Sequence, residues 1–377
     1  MRFPKILKSL DYTLLGVVGL ILVVSFFVLQ SATVNASVKY ELNFVYRQMA
    51  WALVGIVAFF FVLLVDCSKF AKYGKFIYGL NLLLLVATLV WGVERKGSQG
   101  WLSIGPLSFQ PAEIVKILLI LGLAQFLSSR VGKLKTFRDL LPVFLYVAIP
   151  FLLILKQPDL GTGLVYIAIM FGMLLVAGAP PLMLFLLIAG GLGVASFAIW
   201  GHLTWDWWLP LKDYQLKRLI VFIDPMIDPR DAGWNIIQSK IAIGSGGLLG
   251  KGWGMGSQNV NNFLPEQWTD FIFCVLAEEF GFLGAIFLLI LFFCLIYRGI
   301  MIARSTENVY GSLLAMGVIS MFVFHILQNI GMAMGIMPIT GIPLPFVSYG
   351  GSSLLANMIA LGLLMNVYVY REDRFMF

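Results

Sequence analysis

Residues 270–297 read DFIFCVLAEEFGFLGAIFLLILFFCLIY. This run exceeds the ~20 residues that an α-helix needs to cross the hydrocarbon core of a bilayer. The rest of the chain is similarly apolar: 60% of its 377 residues are hydrophobic, 12% are charged, and the mean hydropathy is +0.92. A soluble globular protein carries about 25% charged residues. The sequence therefore predicts an all-α, polytopic membrane protein.

Hydrophobic runs of spanning length recur along the chain, and we expect about ten transmembrane helices. The fourth, fifth and sixth runs are short or bounded by proline. Residues 1–377 are treated as a single transmembrane domain. The predicted spans lie at residues 12–32, 47–65, 76–93, 114–128, 142–155, 160–178, 182–201, 270–297, 309–334 and 348–369.

The basic residues orient these spans, because Lys and Arg accumulate in cytoplasmic loops. They cluster before the first span and after the second, fourth, eighth and last, which places both termini in the cytoplasm. The net charge of +7 is thereby explained as a topology signal, so nucleic-acid binding is not predicted. The clustered residues are Arg2, Lys5, Lys8, Lys69, Lys72, Lys75, Arg130, Lys133, Lys135, Arg138, Arg298, Arg304, Arg371 and Arg374.

Cysteine and histidine usage argues against two kinds of site. The three cysteines are an odd number and do not indicate a structural disulfide. The two histidines, His202 and His325, lack metal-ligand spacing, so a transition-metal site built by the protein is not predicted. A Mg²⁺ ion needs only carboxylates and substrate phosphate, and it remains compatible with the sequence.

Residues 202–269 form the one large loop, which lies outside under this orientation. Residues 234–243 alternate apolar and polar side chains at helical spacing and predict an interfacial helix. A glycine-rich stretch, residues 244–256, follows. It permits close backbone approach, a flexible flap, a phosphate cradle or a plain connector, and the sequence does not choose among them.

Charged side chains recur where spans meet the outer boundary. Asp270 stands at the start of a span, where a carboxylate is costly to desolvate and is a functional candidate by default. Glu113 and Lys116 share one helix face at i and i+3 and form either a structural ion pair or part of a polar cavity. Asp159 fits an N-cap, and Arg47 fits an interfacial anchor. We nevertheless predict that all five converge on one site.

The final signature, residues 341–353, reads GIPLPFVSYGGSS. Two prolines preclude a regular helix there, and irregular backbone at membrane depth is tolerated only against protein or a watery cavity. We expect a broken or re-entrant segment, with Ser348 as a candidate substrate contact.

At these residues the chain resembles the SEDS family (shape, elongation, division and sporulation proteins), which are polytopic peptidoglycan glycosyltransferases. The resemblance covers essentially the whole length and is closer to the elongation branch than to the division branch. The chain departs from the family at Gly100. Family members usually carry an arginine at this position, directly before the tryptophan that is Trp101 here. Any role of that arginine falls to Arg95 or Lys96, or is dispensable. The matching motifs are FQPAE at 109–113, KQPDLGT at 156–162, QSKIAIGSGG at 238–247, LPE at 264–266, TDFIF at 269–273, AEE at 277–279 and the closing signature.

The resemblance implies polymerisation of lipid II into β-1,4 glycan strands at the outer face of the inner membrane during cell elongation, with Asp270 as the catalytic acid residue. Because the product is inverted relative to the donor, one general base acting on the acceptor hydroxyl suffices. The departing pyrophosphate needs positive charge, for which Lys116, Arg47, Lys240 or a divalent ion are candidates. Glu113 and Asp159 would orient Lys116 and shape the site. The implied partners are a class B penicillin-binding protein and the elongation machinery.

Two other functions remain as alternatives. A lipid II flippase predicts polar residues that continue to the cytoplasmic side, whereas those found here gather outside, apart from His325, Gln328 and Asn329. A non-catalytic scaffold for a penicillin-binding protein would leave the convergent charges without a role.

Overall fold

The computed structural model describes residues 3–34, 43–95, 98–104, 107–208, 213–229 and 232–371. Lys96, Arg2 and Arg374, named above, lie outside these ranges. The helices are α1 Phe3–Lys8, α2 Tyr12–Ala32, α3 Phe44–Leu64, α4 Gly74–Trp91, α5 Pro111–Ser128, α6 Phe137–Lys156, α7 Leu160–Val176, α8 Pro181–Trp205, α9 Asp213–Ile223, α10 Ala232–Ser245, α11 Ser257–Val260, α12 Ile272–Ser305, α13 Val309–Ala333 and α14 Gly351–Val369.

Nine helical segments in the described part of the chain are long and apolar enough to cross a membrane, and α7 is a shorter tenth at 17 residues. The predicted spans agree with these helices within a few residues at most boundaries. The main exception is α12, which continues eight residues beyond the predicted end at Tyr297 and carries Arg298 and Arg304 inside the helix. The protein is therefore a polytopic, all-α membrane protein.

Three helices form the centre of the bundle. About 72% of the apolar window of α5 and of α13, and 83% of that of α14, is buried within the protein, against 11% for α8. α14 packs along α3, while α13 contacts α5, α7 and α12. Since lipid covers the outer helices, polar side chains on the central helices must find partners inside the protein.

A small antiparallel sheet was not predicted. Strands β1 Val93–Arg95, β2 Ser98–Ile104 and β3 Leu107–Phe109 pair in the order β1–β2–β3 between α4 and α5. β1 and β3 have three residues each, and β2, with the sequence SQGWLSI, does not alternate apolar and polar residues. Gly100 lies within β2 and Arg95 ends β1.

The glycine-rich stretch runs closely along the start of α12. The backbone N–H groups of Lys251 and Gly252 donate to the carbonyls of Glu278 and Glu279, at 3.0 Å each. A Cβ on Gly246 would overlap the carbonyl oxygen of Ala277. The sequence allowed close backbone approach, a flexible flap, a phosphate cradle or a plain connector, and close backbone approach is confirmed. The hydrogen bonds to α12 do not indicate a freely moving flap.

Gly281 interrupts α12 with φ 65° and ψ −162°, and a Cβ there would overlap the backbone nitrogen of Gly250. We expect Gly281→Ala to destabilise the protein by about 1–3 kcal/mol, because a side chain is strained in that conformation and has no space. Thermal unfolding of the purified protein measures the loss. Gly190→Ala, within α8, is the matched control, because only the backbone of its own helix and its chain neighbours lie within 4 Å of its Cβ position. Equal melting temperatures for both variants would contradict the expectation.

Candidate active site

A polar cleft with a volume of about 50 Å³ lies between α5, α7, α13 and the irregular segment after α13. The three helical elements present charged or titratable side chains to it, and the irregular segment contributes Gly341, Ile342 and Pro343. It is lined by Gln110, Glu113, Lys116, Asp159, Thr162, Val165, His325, Gly341, Ile342 and Pro343.

Lys116 lies at the floor of the cleft and is 2% exposed. Its Nζ is 2.9 Å from Glu113 Oε1 and 3.3 Å from His325 Nε2. The spacing of Glu113 and Lys116 places both on one face of α5, as predicted. His325 comes from the middle of α13 and gives the ammonium a second partner. The other atoms of this triad, Glu113 Oε2 and His325 Nδ1, have no hydrogen-bond partner in the described structure.

Asp159 has both roles that the sequence suggested, as the N-cap of a helix and as part of the polar site. Its carboxylate caps α7, accepting from the backbone N–H of Thr162 at 2.9 Å and from the Thr162 hydroxyl at 2.8 Å. It also lines the cleft. Gly161 allows the start of α7 to approach the irregular segment, because a Cβ there would lie 2.9 Å from the Thr340 carbonyl oxygen.

Asp270 borders the cleft immediately before α12. Its Oδ2 is 3.5 Å from the position of a Cβ built on Gly341, which is a lining residue. Asn329 Nδ2 donates both to the carbonyl of Asp270, at 2.9 Å, and to that of Ile342, at 2.8 Å. One amide on α13 therefore joins the candidate base to the cleft wall.

The irregular segment confirms the broken-helix prediction: residues 334–350 are non-helical, and residues 344–348 within it are buried. Ser348 lies in it but does not line the cleft. Its hydroxyl donates to the Thr269 carbonyl at 2.6 Å and accepts from the Leu344 N–H at 2.8 Å. These bonds anchor the residue beside Asp270, and substrate contact by Ser348 stays a prediction.

Arg47 and Lys240 also lie outside the cleft lining. Arg47 is exposed and hydrogen-bonded to Tyr349. Lys240 projects from α10 against Gly335, whose Cβ position lies 2.7 Å from the lysine Nζ. Glu113, Lys116 and Asp159 therefore line one cleft, and Asp270 lies beside it without being a lining residue. Arg47 and Lys240 lie at the periphery.

Two residues of the site were missed from sequence as site members, namely His325 and Asn329. They lie one helical turn apart in an apolar span, and an ionisable or amide side chain at such a depth is itself a signal. With Gln328, which donates to the Pro338 carbonyl at 2.8 Å, they were set aside as exceptions to the outward clustering. His325 lines the cleft and Asn329 bonds to the lining residue Ile342, whereas Gln328 contacts the start of the irregular segment.

The family model described as cell cycle protein, FTSW_RODA_SPOVE, matches residues 9–373. Stage V sporulation protein E of Bacillus subtilis is 39% identical over 375 residues, covering 97% of each chain. The peptidoglycan glycosyltransferase MrdB of Escherichia coli K12 is 37% identical over 368 residues, covering 96% of this chain and 94% of the relative.

Solved structures agree with this fold. One, described as "Structural coordination of polymerization and crosslinking by a peptidoglycan synthase complex", matches with a TM-score of 0.81 at 31% identity, covering 98% of this chain and 99% of the other. The Thermus thermophilus rod shape determining protein RodA matches with a TM-score of 0.69 at 30% identity, covering 96% of this chain and 98% of the other.

The fold and its polar cleft define a polytopic membrane protein with an enzyme-like site. The chain belongs to the SEDS (FtsW/RodA/SpoVE) family.

Proposed function

We propose that this chain polymerises lipid II into β-1,4 glycan strands, with inversion, at the outer face of the cytoplasmic membrane during cell elongation. Membership of a family whose relatives are named peptidoglycan glycosyltransferases makes it an enzyme of that class. The observation that carries the proposal is the position of the Asp270 carboxylate at the edge of a cleft whose floor holds the Lys116 ammonium.

The chemistry follows from one base and one cation. Asp270 removes the proton from the acceptor 4-hydroxyl as its oxygen attacks the anomeric carbon of the donor. The carbon–oxygen bond to the pyrophosphate breaks, and the departing group takes the bonding electron pair. Attack from the face opposite the leaving group inverts the configuration.

Lys116 supplies positive charge for the pyrophosphate, and such preorganised charge is worth most where water is excluded. The buried Glu113 holds the lysine from one side and His325 from the other. Asp159 shapes the opposite wall. Arg47, Lys240 and Ser348 are proposed to contact the substrate beyond the cleft, on the exposed outer surface and the irregular segment.

A divalent cation such as Mg²⁺ is compatible with this scheme. Within the described ranges no group of three or more His, Cys, Asp or Glu side chains is arranged to hold a metal. Mg²⁺ keeps several waters and binds through one or two carboxylates plus phosphate. Asp159 and Asp270 would be its protein ligands, and no step above depends on it.

Polymerisation of purified, labelled lipid II tests the function directly. We expect glycan strands to form, with a higher yield when a class B penicillin-binding protein is added. That partner is supported by a structural relative described as coordinating polymerization and crosslinking. Lipid II transfer between leaflets without polymer would favour the flippase instead, and activity only from the partner would favour a scaffold.

The proposed orientation has a labelling test. In a variant without Cys67, Cys274 and Cys294, a cysteine replacing the exposed Asn261 should react with a membrane-impermeant thiol reagent from outside, and one replacing Ser305 only from inside. The expectation rests on the distribution of Lys and Arg among the loops. Asn261 is a better probe than Ser257, whose hydroxyl is bonded to Lys251 and Glu278. Labelling of the Asn261→Cys protein solely from the cytoplasm would overturn both topology and function.

A further inference from the structure

A second buried polar cluster lies at the start of α12, away from the cleft lining. It contains two adjacent acids, Glu278 and Glu279, which are 0% and 1% exposed. Glu278 Oε1 accepts from Lys251 Nζ at 2.7 Å, from the Ser257 hydroxyl at 3.1 Å and from the N–H of Gln258 at 3.0 Å. This carboxylate therefore joins the glycine-rich loop to α12.

Glu279 connects the same loop to α2. Its Oε1 accepts from the Ser31 hydroxyl and from Asn259 Nδ2, the latter at 3.1 Å, and the N–H of Gly254 faces the carboxylate. Gln267 Nε2 reaches the Asn259 carbonyl at 3.4 Å. Glu279, Asn259 and Gln267 are thus connected by hydrogen bonds. Glu278 adjoins them: a Cβ built on Gly256 would lie 2.7 Å from Glu278 Oε2 and 3.3 Å from Glu279 Cγ.

Unpartnered oxygens concentrate in this cluster. The buried atoms without a hydrogen-bond partner include Oε2 of Glu278, Oε2 of Glu279, Oδ1 of Asn259 and Oε1 of Gln267. The two amides cannot be reversed at no cost, because their nitrogens already donate to Ser31, Glu279 and the Ala32 carbonyl. The amide oxygens, and the carboxylate oxygens of the ionised glutamates, can only accept, so they are satisfied by a hydrogen-bond donor or a cation.

The charge of the cluster is also unbalanced. Glu278 has an ion pair with Lys251 at 2.7 Å, and no ion pair is recorded for Glu279 within the described ranges. An ionised carboxylate buried without a counter-charge is costly. A bound cation would offset that cost and satisfy the oxygens at the same time.

We propose that the cluster binds a hard divalent cation, with Ca²⁺ the best fit. Carboxylate and amide carbonyl oxygens in an irregular arrangement are the ligands that Ca²⁺ accepts, and sulfur or imidazole ligands for a softer metal are not among the side chains named here. The protein ligands are Glu278, Glu279, Asn259 and Gln267. The ion cross-links the glycine-rich loop to the kink of α12 and is separate from any Mg²⁺ at Asp270.

Thermal unfolding of the full-length purified protein tests the site. After EDTA treatment, CaCl₂ is titrated up to about 10 mM, beyond the millimolar range in which extracellular modules bind Ca²⁺. We expect the wild-type melting temperature to rise by at least about 3 °C as the site saturates. Glu279→Gln should abolish the rise, and Glu307→Gln, an exposed acid between α12 and α13, should retain it.

Two results would overturn the proposal: no rise in the wild type, or an equal rise in Glu279→Gln. If Glu279→Gln does not fold, Asn259→Asp gives an independent measurement. An added carboxylate should lower the Ca²⁺ midpoint by about tenfold, because ligand charge sets affinity in oxygen sites. An unchanged midpoint would also count against the site. None of these measurements depends on glycan polymerisation.

Discussion

Asp270→Asn is expected to lower glycan polymerisation by at least about 100-fold, because an amide cannot accept the proton of the acceptor hydroxyl. The substitution keeps the size of the side chain, and the backbone carbonyl of residue 270 still accepts from Asn329. The protein should therefore fold and insert normally. The measurement is polymer yield per folded protein from labelled lipid II.

Glu307→Gln is the matched control for Asp270→Asn. Glu307 is an exposed carboxylate in the loop between α12 and α13, at the end of α12 opposite to Asp270. Its loss should leave yield unchanged. If Asp270→Asn retained polymerisation at the control level, Asp270 would not be the base.

The double variant Glu113→Lys with Lys116→Glu exchanges the two charges in α5. We expect its polymerisation rate to be at least about 100-fold below that of the wild type, because the loss of one electrostatic stabiliser in an active site has an effect of that size. The exchange preserves an i, i+3 ion pair. It moves the cation about 4.5 Å along the helix axis, since the rise is 1.5 Å per residue. The cation thereby leaves the position beside His325 where we place the pyrophosphate.

The single variants provide the comparison. Glu113→Lys and Lys116→Glu each remove the buried ion pair and place two like charges side by side, at a cost of at least about 3–5 kcal/mol, so the double variant should melt at a higher temperature than either. Recovery of stability without recovery of polymerisation supports a catalytic Lys116. Recovery of both would return Glu113 and Lys116 to a purely structural role.

The elements that sequence reasoning found are those with strong local signals. Apolar runs marked the spans of the described helices to within a few residues at most ends, and the alternation over residues 234–243 marked α10. The three short strands gave no such signal. The predicted end of α12 is too early because Arg298 interrupts the apolar run. In the structure, Arg298 pairs with Asp11 at the start of α2, which lies 287 residues away in the sequence.

In the candidate site, too, contacts between residues close in sequence could be predicted, and contacts between distant residues could not. The pairing of Glu113 with Lys116 could be read from a three-residue spacing, and the Asp159 cap from its place before α7. The contact of Lys116 with His325 spans 209 residues, and that of Asn329 with the Asp270 carbonyl spans 59. No periodicity within one helix encodes such contacts.

By itself, the sequence determined that this chain has about ten membrane-spanning helices and which acids and bases stand near their ends. Both properties depend on the transfer of a single segment or side chain out of water, and that free energy is local to the residues concerned. Only the tertiary structure decided which partner each buried polar group has: His325 for Lys116, Asn329 for the Asp270 backbone, and the α12 carbonyls for the glycine-rich loop. Those choices follow from how distant helices pack, because a polar group removed from water takes the partner that packing brings within hydrogen-bonding distance.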